Sequence, residues 1–401
     1  MSKFNFKELE IMVGDNKIYK TVDTIFESNI IDFLDFFSNQ LIKDKKARNF
    51  PDLIALSFWC RKKNLEKFKQ QFVKDEKRLG RGMIFHITPS NVPTNFFYSL
   101  IFGLIAGNTN IVRVPSNNFE QINIICKHLN KIIKYKKFQF VSRLIKIIRY
   151  ENTKTKITNF FSENCDMRII WGGDETINQV RQSKIQPHAT DITFSDRYSF
   201  AVINSKKILS LNKKNLKLLG KKFYNDTYIM DQNACSSPHI IFWNGNQSDM
   251  KKASQVFWNH MKNEILTKYE LPDVAIIDKF NKLCIDIATN NSLEKINIYN
   301  NKLHTVQLNK IDNQLDKKRG KWGYFYEYSL NNLAELSKAV NNRFQTMTYF
   351  GIKKSDLSKI IIANRLEGID RIVPIGESLS MSLHWDGYDI IRSLSRSIVI
   401  K

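Results

Sequence analysis

At 401 residues the chain is too long for one simple core, and its 42% hydrophobic content is ordinary for a soluble globular protein, so two domains are the default. A formal charge of +23 raises nucleic acid or an anionic surface as partners. The cysteines (Cys60, Cys126, Cys165, Cys235, Cys284) form no Cys-x-x-Cys pair, which argues against a zinc site or disulfide framework and fits a reducing compartment.

Residues 1–79 read as a helical layer, with apolar residues at three- and four-residue spacing over 21–42 and 52–73. From Gly82 the pattern changes. A strand at 83–87 leads to a buried helix at 94–106, a strand at 110–114, a helix at 119–135 and a strand at 140–148. A further strand at 167–171 ends in Gly172-Gly173, with Asp174 as cap and a helix at 175–181. Strands alternating with helices imply a mostly parallel sheet covered on both faces. From about residue 205 a second domain is expected, with a buried strand at 240–243, helices at 251–267 and 332–340, and a strand at 344–351. Asp386-Gly-Tyr-Asp389 reads as a turn.

The six N-terminal residues lack the basic start and apolar core of a signal peptide. The longest apolar stretch, 96–106, falls short of the roughly 20 residues that cross a bilayer. A cytoplasmic protein without a transmembrane segment is the expectation. Lysines are spread along the chain, densest in Lys131-Ile-Ile-Lys-Tyr-Lys-Lys137, with no recognition motif or interleaved arginines and aromatics. They read chiefly as solvated faces, secondarily as steering for anionic ligands, and nucleic acid is not expected.

Two segments carry chemistry. Cys235 lies in Met230-Asp-Gln-Asn-Ala-Cys-Ser-Ser-Pro-His-Ile-Ile-Phe-Trp243, among small polar residues ahead of an apolar strand. That places a thiol at the mouth of a rigid element, where its thiolate can attack a carbonyl; a buried structural cysteine is the plain alternative. Asn91 lies in Gly82-Met-Ile-Phe-His-Ile-Thr-Pro-Ser-Asn-Val-Pro-Thr-Asn95, a strand-to-helix turn. Pro93 is expected in the first helical turn. An amide fixed between prolines suits an oxyanion hole, and a loop-shaping Asx turn is the alternative. Gly172-Gly173 before a helix offers backbone amides for a pyrophosphate, or is a plain connection. Arg113 and Ser116 close the strand at 110–114, with Arg113 a candidate for a 2′-phosphate or a solvated strand end. His239, His86 and His188 read as satisfied histidines.

Together the two segments resemble the aldehyde dehydrogenase superfamily, where a Pro-x-Asn-x-Pro turn carries the oxyanion amide and a Gln-x-x-Cys segment the nucleophile. Here they read Pro89-Ser-Asn91-Val-Pro93 and Gln232-Asn-Ala-Cys235. The chain is more closely similar to the LuxC-type acyl-CoA reductases. Ala106-Gly-Asn-Thr-Asn-Ile-Val-Arg-Val-Pro-Ser116, Trp171-Gly-Gly-Asp-Glu-Thr-Ile177, Asp196-Arg-Tyr-Ser199, Arg371-Ile-Val-Pro-Ile-Gly376 and Trp385-Asp-Gly-Tyr-Asp389 carry that resemblance, in order.

The resemblance implies an α/β, aldehyde-dehydrogenase-like fold. A dinucleotide-binding parallel-sheet domain (1–204, with the helical layer) would precede an α/β catalytic domain around Cys235 (205–375), and 376–401 would return to the first domain. It implies Cys235 and Asn91 as catalytic residues. Thr88, Pro89, Arg113, Ser116, Gly172, Gly173 and Thr176 would bind NADPH, with no metal. The substrate would be a fatty acyl-CoA or acylated protein, with acyl-protein synthetase and transferase partners and a homo-oligomeric state.

One departure from the superfamily is informative. Hydrolytic members carry a glutamate base in a Leu-Glu-Leu-Gly-Gly stretch, and here Thr193 falls at that place. Without a base, water is not activated against an acyl-cysteine, which favours acyl-thioester reduction to an aldehyde. Three other readings stay open: a short-chain acylating dehydrogenase using CoA and NAD, a cysteine thioesterase or acyltransferase, and a non-catalytic basic binding protein.

Overall fold

The structure, a computed structural model, describes residues 8–72 and 77–400. Val73, the last residue of one expected helix, and the N-terminal six residues lie outside them. The chain divides into two compact units, Met1–Ser195 with Met381–Lys401, and Asp196–Ser380.

The first unit runs β1 (Glu10–Val13), α1 (Ser28–Lys43), α2 (Pro51–Trp59), α3 (Lys62–Phe72), β2 (Arg78–Gly80), β3 (Met83–Ile87), α4 (Asn95–Ile105) and β4 (Thr109–Val114). It continues with α5 (Glu120–Ile132), β5 (Ile145–Arg149), α6 (Thr155–Asn164), β6 (Met167–Trp171), α7 (Asp174–Arg181) and β7 (Thr190–Phe194). The sheet order is β1-β5-β4-β3-β6-β7, with β1 antiparallel and the rest parallel. All of β3 and β6 is buried, as parallel strands covered on both faces require. Helix α1 turns Ile30, Phe33, Leu34, Phe37 and Leu41 into the core at helical spacing.

Four local expectations change. The first 79 residues hold a strand as well as helices, because Glu10–Val13 pairs with β5 at the sheet edge. The strand expected from 140 begins only at Ile145, because Lys136–Arg143 is a 3₁₀ run that buries Phe138 and Val141 three residues apart. Gly173 is the N-cap of α7 and Asp174 its first-turn residue. Likewise Pro93 precedes the cap Thr94 and stands ahead of the first turn of α4.

The second unit runs β8 (Tyr198–Asn204), α8 (Ser205–Leu209), α9 (Lys213–Thr227), β9 (Pro238–Asn244), α10 (Gln247–Lys268) and α11 (Asp273–Thr289). Then come β10 (Leu293–Asn300), β11 (Leu303–Leu308), β12 (Tyr324–Leu330), β13 (Phe344–Phe350), α12 (Lys354–Ala363) and β14 (Arg371–Pro374). Its sheet order is β10-β11-β12-β9-β8-β13-β14, antiparallel only at β10–β11. Strand β8 pairs with β9 and β13, so this unit starts at Asp196, ahead of residue 205. The helix expected at 332–340 is a short 3₁₀ turn, Leu333–Lys338, capped by Asn332.

From Met381 the chain rejoins the first unit as a hairpin, β15 (His384–Trp385) and β16 (Tyr388–Asp389), then α13 (Ile390–Leu394) and β17 (Ser395–Ser397). The hairpin turns on Asp386 (φ +48°) and Gly387 (φ +77°), both left-handed as a type I′ turn needs. Strand β17 pairs antiparallel with β2.

Candidate active site

Cys235 lies in the loop from α9 to β9, at the start of a central strand of the second sheet. The loop leaves α9 through a short 3₁₀ turn, Tyr228–Met230, and then takes two consecutive left-handed residues, Asp231 (φ +51°) and Gln232 (φ +61°). Non-glycine residues adopt that conformation only where surroundings hold them. Here the surroundings are visible. Gln232 is fully buried, and its amide Nε2 donates to the carbonyls of Pro238 (3.0 Å) and Tyr324 (3.1 Å). Its Oε1 accepts from the N–H groups of Gly323 and Tyr324, both at 3.2 Å. One side chain thus fastens the loop to the start of β12. The Gln232 N–H donates to Thr227 O (2.7 Å), and the Ser237 N–H to Ala234 O (2.9 Å), closing a turn with Cys235 inside it. Ser199 Oγ donates to the Cys235 carbonyl at 2.7 Å.

Among the five cysteines this setting is distinctive. Cys60, Cys126 and Cys165 are buried, and burial pushes their thiols up, to about 12 for Cys126 and Cys165. Cys284 is exposed on α11, and Cys235 is half-buried in its fastened turn. His239 is a structural neighbour of that turn. Its Nδ1 bonds the Gly320 carbonyl at 3.0 Å, its ring stacks on Tyr198, and burial pushes it down to about 3.

The first unit holds the other expected residues. In its sheet the chain steps outward from β3 through β4 to β5, then returns to β6 on the far side of β3. Ligands in such sheets bind at that reversal, beyond the C-terminal ends of the two flanking strands. The loops there are Thr88–Thr94 after β3 and Gly172-Gly173 after β6, so Thr88, Pro89, Asn91, Gly172, Gly173 and Thr176 gather at the switch point. Thr88 Oγ1 donates to Arg113 O (2.8 Å), tying the loop to β4, and Asn91 is exposed. Gly172 is packed, since a Cβ there would come within 3.0 Å of Thr176, whereas a Cβ at Gly173 would meet nothing within 4 Å. Asp174 and Glu175 occupy the first turn of α7, where they complement the helix dipole and compete with a phosphate.

Arg113 and Ser116 follow from β4, one strand over. Arg113 stacks on Tyr150 and donates through Nη2 to the Tyr150 carbonyl (3.2 Å), while its buried Nε has no partner. An orphaned buried donor is a place an anion would satisfy. The crevice therefore fits a dinucleotide at Gly173 and Arg113, less so at the acidic start of α7.

No carboxylate stands at Thr193. Of its neighbours, Asp191 is held by the buried Arg168 through two bonds of 2.8 Å, and Asp196 pairs with Arg319 at 2.6 Å. Both carboxylates are thus engaged by an arginine. Ser199 and the Gly323–Tyr324 backbone are support that sequence reasoning missed, because their link to the Cys235 loop spans up to 92 residues. The Gln-x-x-Cys spacing was the available signal for Gln232.

Two α/β units, each built on a mostly parallel sheet, match the aldehyde dehydrogenase fold. Solved structures agree in fold. Aldehyde dehydrogenase 21 from Physcomitrella patens, crystallised with succinate, matches with TM-score 0.66 and 9% identity over 93% of this chain and 85% of its own. A proline utilization A mutant from Bradyrhizobium japonicum matches with TM-score 0.64 and 12% identity, over 92% of this chain and 42% of its own. The chain belongs to the LuxC acyl-CoA reductase family, whose profile matches residues 48–397. It is 23% identical over 190 residues to a long-chain acyl-protein thioester reductase of Vibrio harveyi, an alignment that spans 47% of this chain and only 37% of that relative. Among the described residues no helix is long and apolar enough to cross a membrane, and no group of three or more His, Cys, Asp or Glu is placed to hold a metal.

Proposed function

We propose that this protein reduces a fatty acyl thioester, from an acyl-CoA or an acylated protein, to the aldehyde through an acyl-Cys235 intermediate. The observation that supports the reading is the fastened, half-buried Cys235 loop, beside a sequence that has Thr193 at the place where the superfamily resemblance expects the glutamate base and whose nearby Asp191 and Asp196 are both paired with arginine. In this reading the Cys235 thiolate attacks the thioester carbonyl. The Asn91 amide and the Cys235 N–H donate to the oxyanion, the donor thiolate leaves, and the acyl group stays on Cys235. With no base to activate water, that acyl-enzyme waits for reduction. A reduced nicotinamide dinucleotide would supply the hydride. The carbonyl oxygen then carries negative charge, which the same donors stabilise until the C–S bond breaks, the aldehyde leaves and the Cys235 thiolate returns. Gly173 and Arg113 support the cofactor, and the orphaned Arg113 Nε favours the 2′-phosphate of NADPH over NADH.

The test is intact mass after incubation with acyl-CoAs from short to long, followed by NADPH. The expected result is an adduct on Cys235 that disappears with release of aldehyde, and the best donor gives the chain length. An adduct that both NADPH and NADH leave in place would overturn the reductase reading in favour of a transferase or thioesterase.

A further inference from the structure

Helix α9 ends where the Cys235 loop begins, since the Thr227 carbonyl in its last turn accepts the Gln232 N–H at 2.7 Å. Its outer face is unlike an ordinary solvated one. Lys213, Lys214, Lys217, Lys221 and Lys222 are all exposed, and the sequence holds no Asp or Glu between Asp196 and Asp226. Asp226 itself is buried, bonded to the N–H groups of Gly376 (2.6 Å) and Ser378 (2.9 Å), so it does not offset the lysines at the surface. Glu264 of α10, which neighbours Lys217 and Lys221, is largely buried and held by Lys268 at 2.6 Å. In the middle of the basic face stands Leu218, 53% exposed. Its face neighbours at i−4, i+3 and i+4 are Lys214, Lys221 and Lys222, with Asn215 at i−3 and Lys217 preceding it in sequence, so positive charge flanks it toward both ends of the helix. Ile229, 40% exposed, lies just past the helix end toward Cys235.

Resting on the function proposed above, we propose that the α9 face docks an acidic protein that carries the acyl group as a thioester on a flexible arm. Charge complementarity names the acidic partner. The exposed leucine at the centre argues for a protein over a free anion, because an apolar anchor flanked by charge is the form of a protein contact and does nothing for a phosphate. The lysines also spread too far for one phosphate cluster: nine residues separate Lys213 from Lys222, about 14 Å along the axis at the helical rise. Leu218 lies nine residues before Thr227, again about 14 Å, so the acyl group must reach Cys235 on an arm.

The test compares acyl carrier protein loaded with the best chain, the same acyl group on CoA, and the same group on uncharged N-acetylcysteamine. The triple variant Lys214→Glu/Lys217→Glu/Lys221→Glu is set against a control reversal of equal charge on the first unit, Lys131→Glu/Lys134→Glu/Lys136→Glu. The expected result is that kcat/KM for the carrier, relative to N-acetylcysteamine, falls at least about tenfold in the α9 variant only, through KM, and that its salt dependence flattens. Leu218→Asp lowers the same ratio without changing any lysine. An unchanged ratio overturns the proposal. So does an equal fall with acyl-CoA, which would mean small-anion steering, or an equal fall in the control, which would mean the field of the whole chain. If no donor yields aldehyde, the proposed reaction is wrong, and fluorescence anisotropy of labelled acyl carrier protein at low salt decides the docking alone: binding lost in the α9 variant and kept in the control supports it, and no difference overturns it.

Discussion

The turns that carry Asn91 and Cys235 are held in different ways. The Asn91 turn is shaped by covalent restraint, with Pro89 and Pro93 fixing φ on either side and Thr88 tying its base to β4. The Cys235 loop has no proline ahead of the cysteine. It is held by a buried amide with four backbone bonds and passes through two left-handed residues. A proline-bounded turn needs little from the rest of the unit. A loop fastened to a strand over 90 residues away keeps its shape only while the whole second sheet is intact. The position of the Cys235 sulfur is thus tied to the folding of the second sheet, and that of the Asn91 amide is set locally.

Substitutions can break that contrast in order of size. Cys235→Ala should abolish both the acyl adduct and aldehyde formation, read by mass and by NADPH oxidation; residual turnover above background would move the nucleophile elsewhere. Asn91→Ala should lower kcat/KM by about 10²–10³-fold, the usual loss of one oxyanion donor. Because Asn91 is exposed, its unfolding midpoint in urea should stay put. A large midpoint shift would make Asn91 a loop-shaping residue. Gln232→Ala should do the reverse of Asn91→Ala. It leaves two N–H groups and two carbonyls without the amide and should cost about 3 kcal/mol of stability or more. It should also change the rate at which iodoacetamide alkylates Cys235 in the folded protein. If neither moves, the amide clamp does not hold the loop.

How far these features were legible follows from range. The run of β3, α4 and β4 could be read because whole strands are buried, so the apolar letters are continuous. The turns that carry Asn91 and Cys235 could be placed because each motif is local. The reading is silent on α9 and α11, and on β10 to β12. In α11 the apolar letters go both ways: Ala275 and Leu283 face the core while Ile277, Phe280 and Ile287 are exposed, which blurs the stripe. Strand β10 is half-exposed at the sheet edge. Arg113 illustrates the limit for side chains: its place at the end of β4 was readable, but its stacking on Tyr150, 37 residues on, was not.

The first unit also carries a proton-sensitive element absent from its turn. His86, in the middle of β3, belongs to a buried chain in which Trp171 Nε1 donates to Ser99 Oγ (3.0 Å) and Ser99 bonds His86 Nδ1 (2.8 Å). His86 Nε2 bonds Asn110 Oδ1 (3.0 Å), whose own Nδ2 donates to Asn108 O (2.7 Å). With that amide orientation Nε2 carries the proton and Nδ1 accepts, so a neutral ring satisfies every partner. Burial pushes His86 down to about 4 from its ordinary 6.5. A lowered histidine pKa means the unfolded chain binds more protons, so stability is present above pH 6.5 and lost as pH falls toward 4. Between pH 7 and 5 the loss through His86 is about 2 kcal/mol. His239 and His304 in the second unit, lowered to about 3 and 4, act in the same direction, and Asp226, raised to about 6, acts against them. His86→Phe should therefore lower stability at pH 7 yet lose less of it on going to pH 5 than the unsubstituted protein does, measured as urea midpoints at the two pH values. An identical loss in both proteins would show that His86 is not among the groups that take up protons on unfolding.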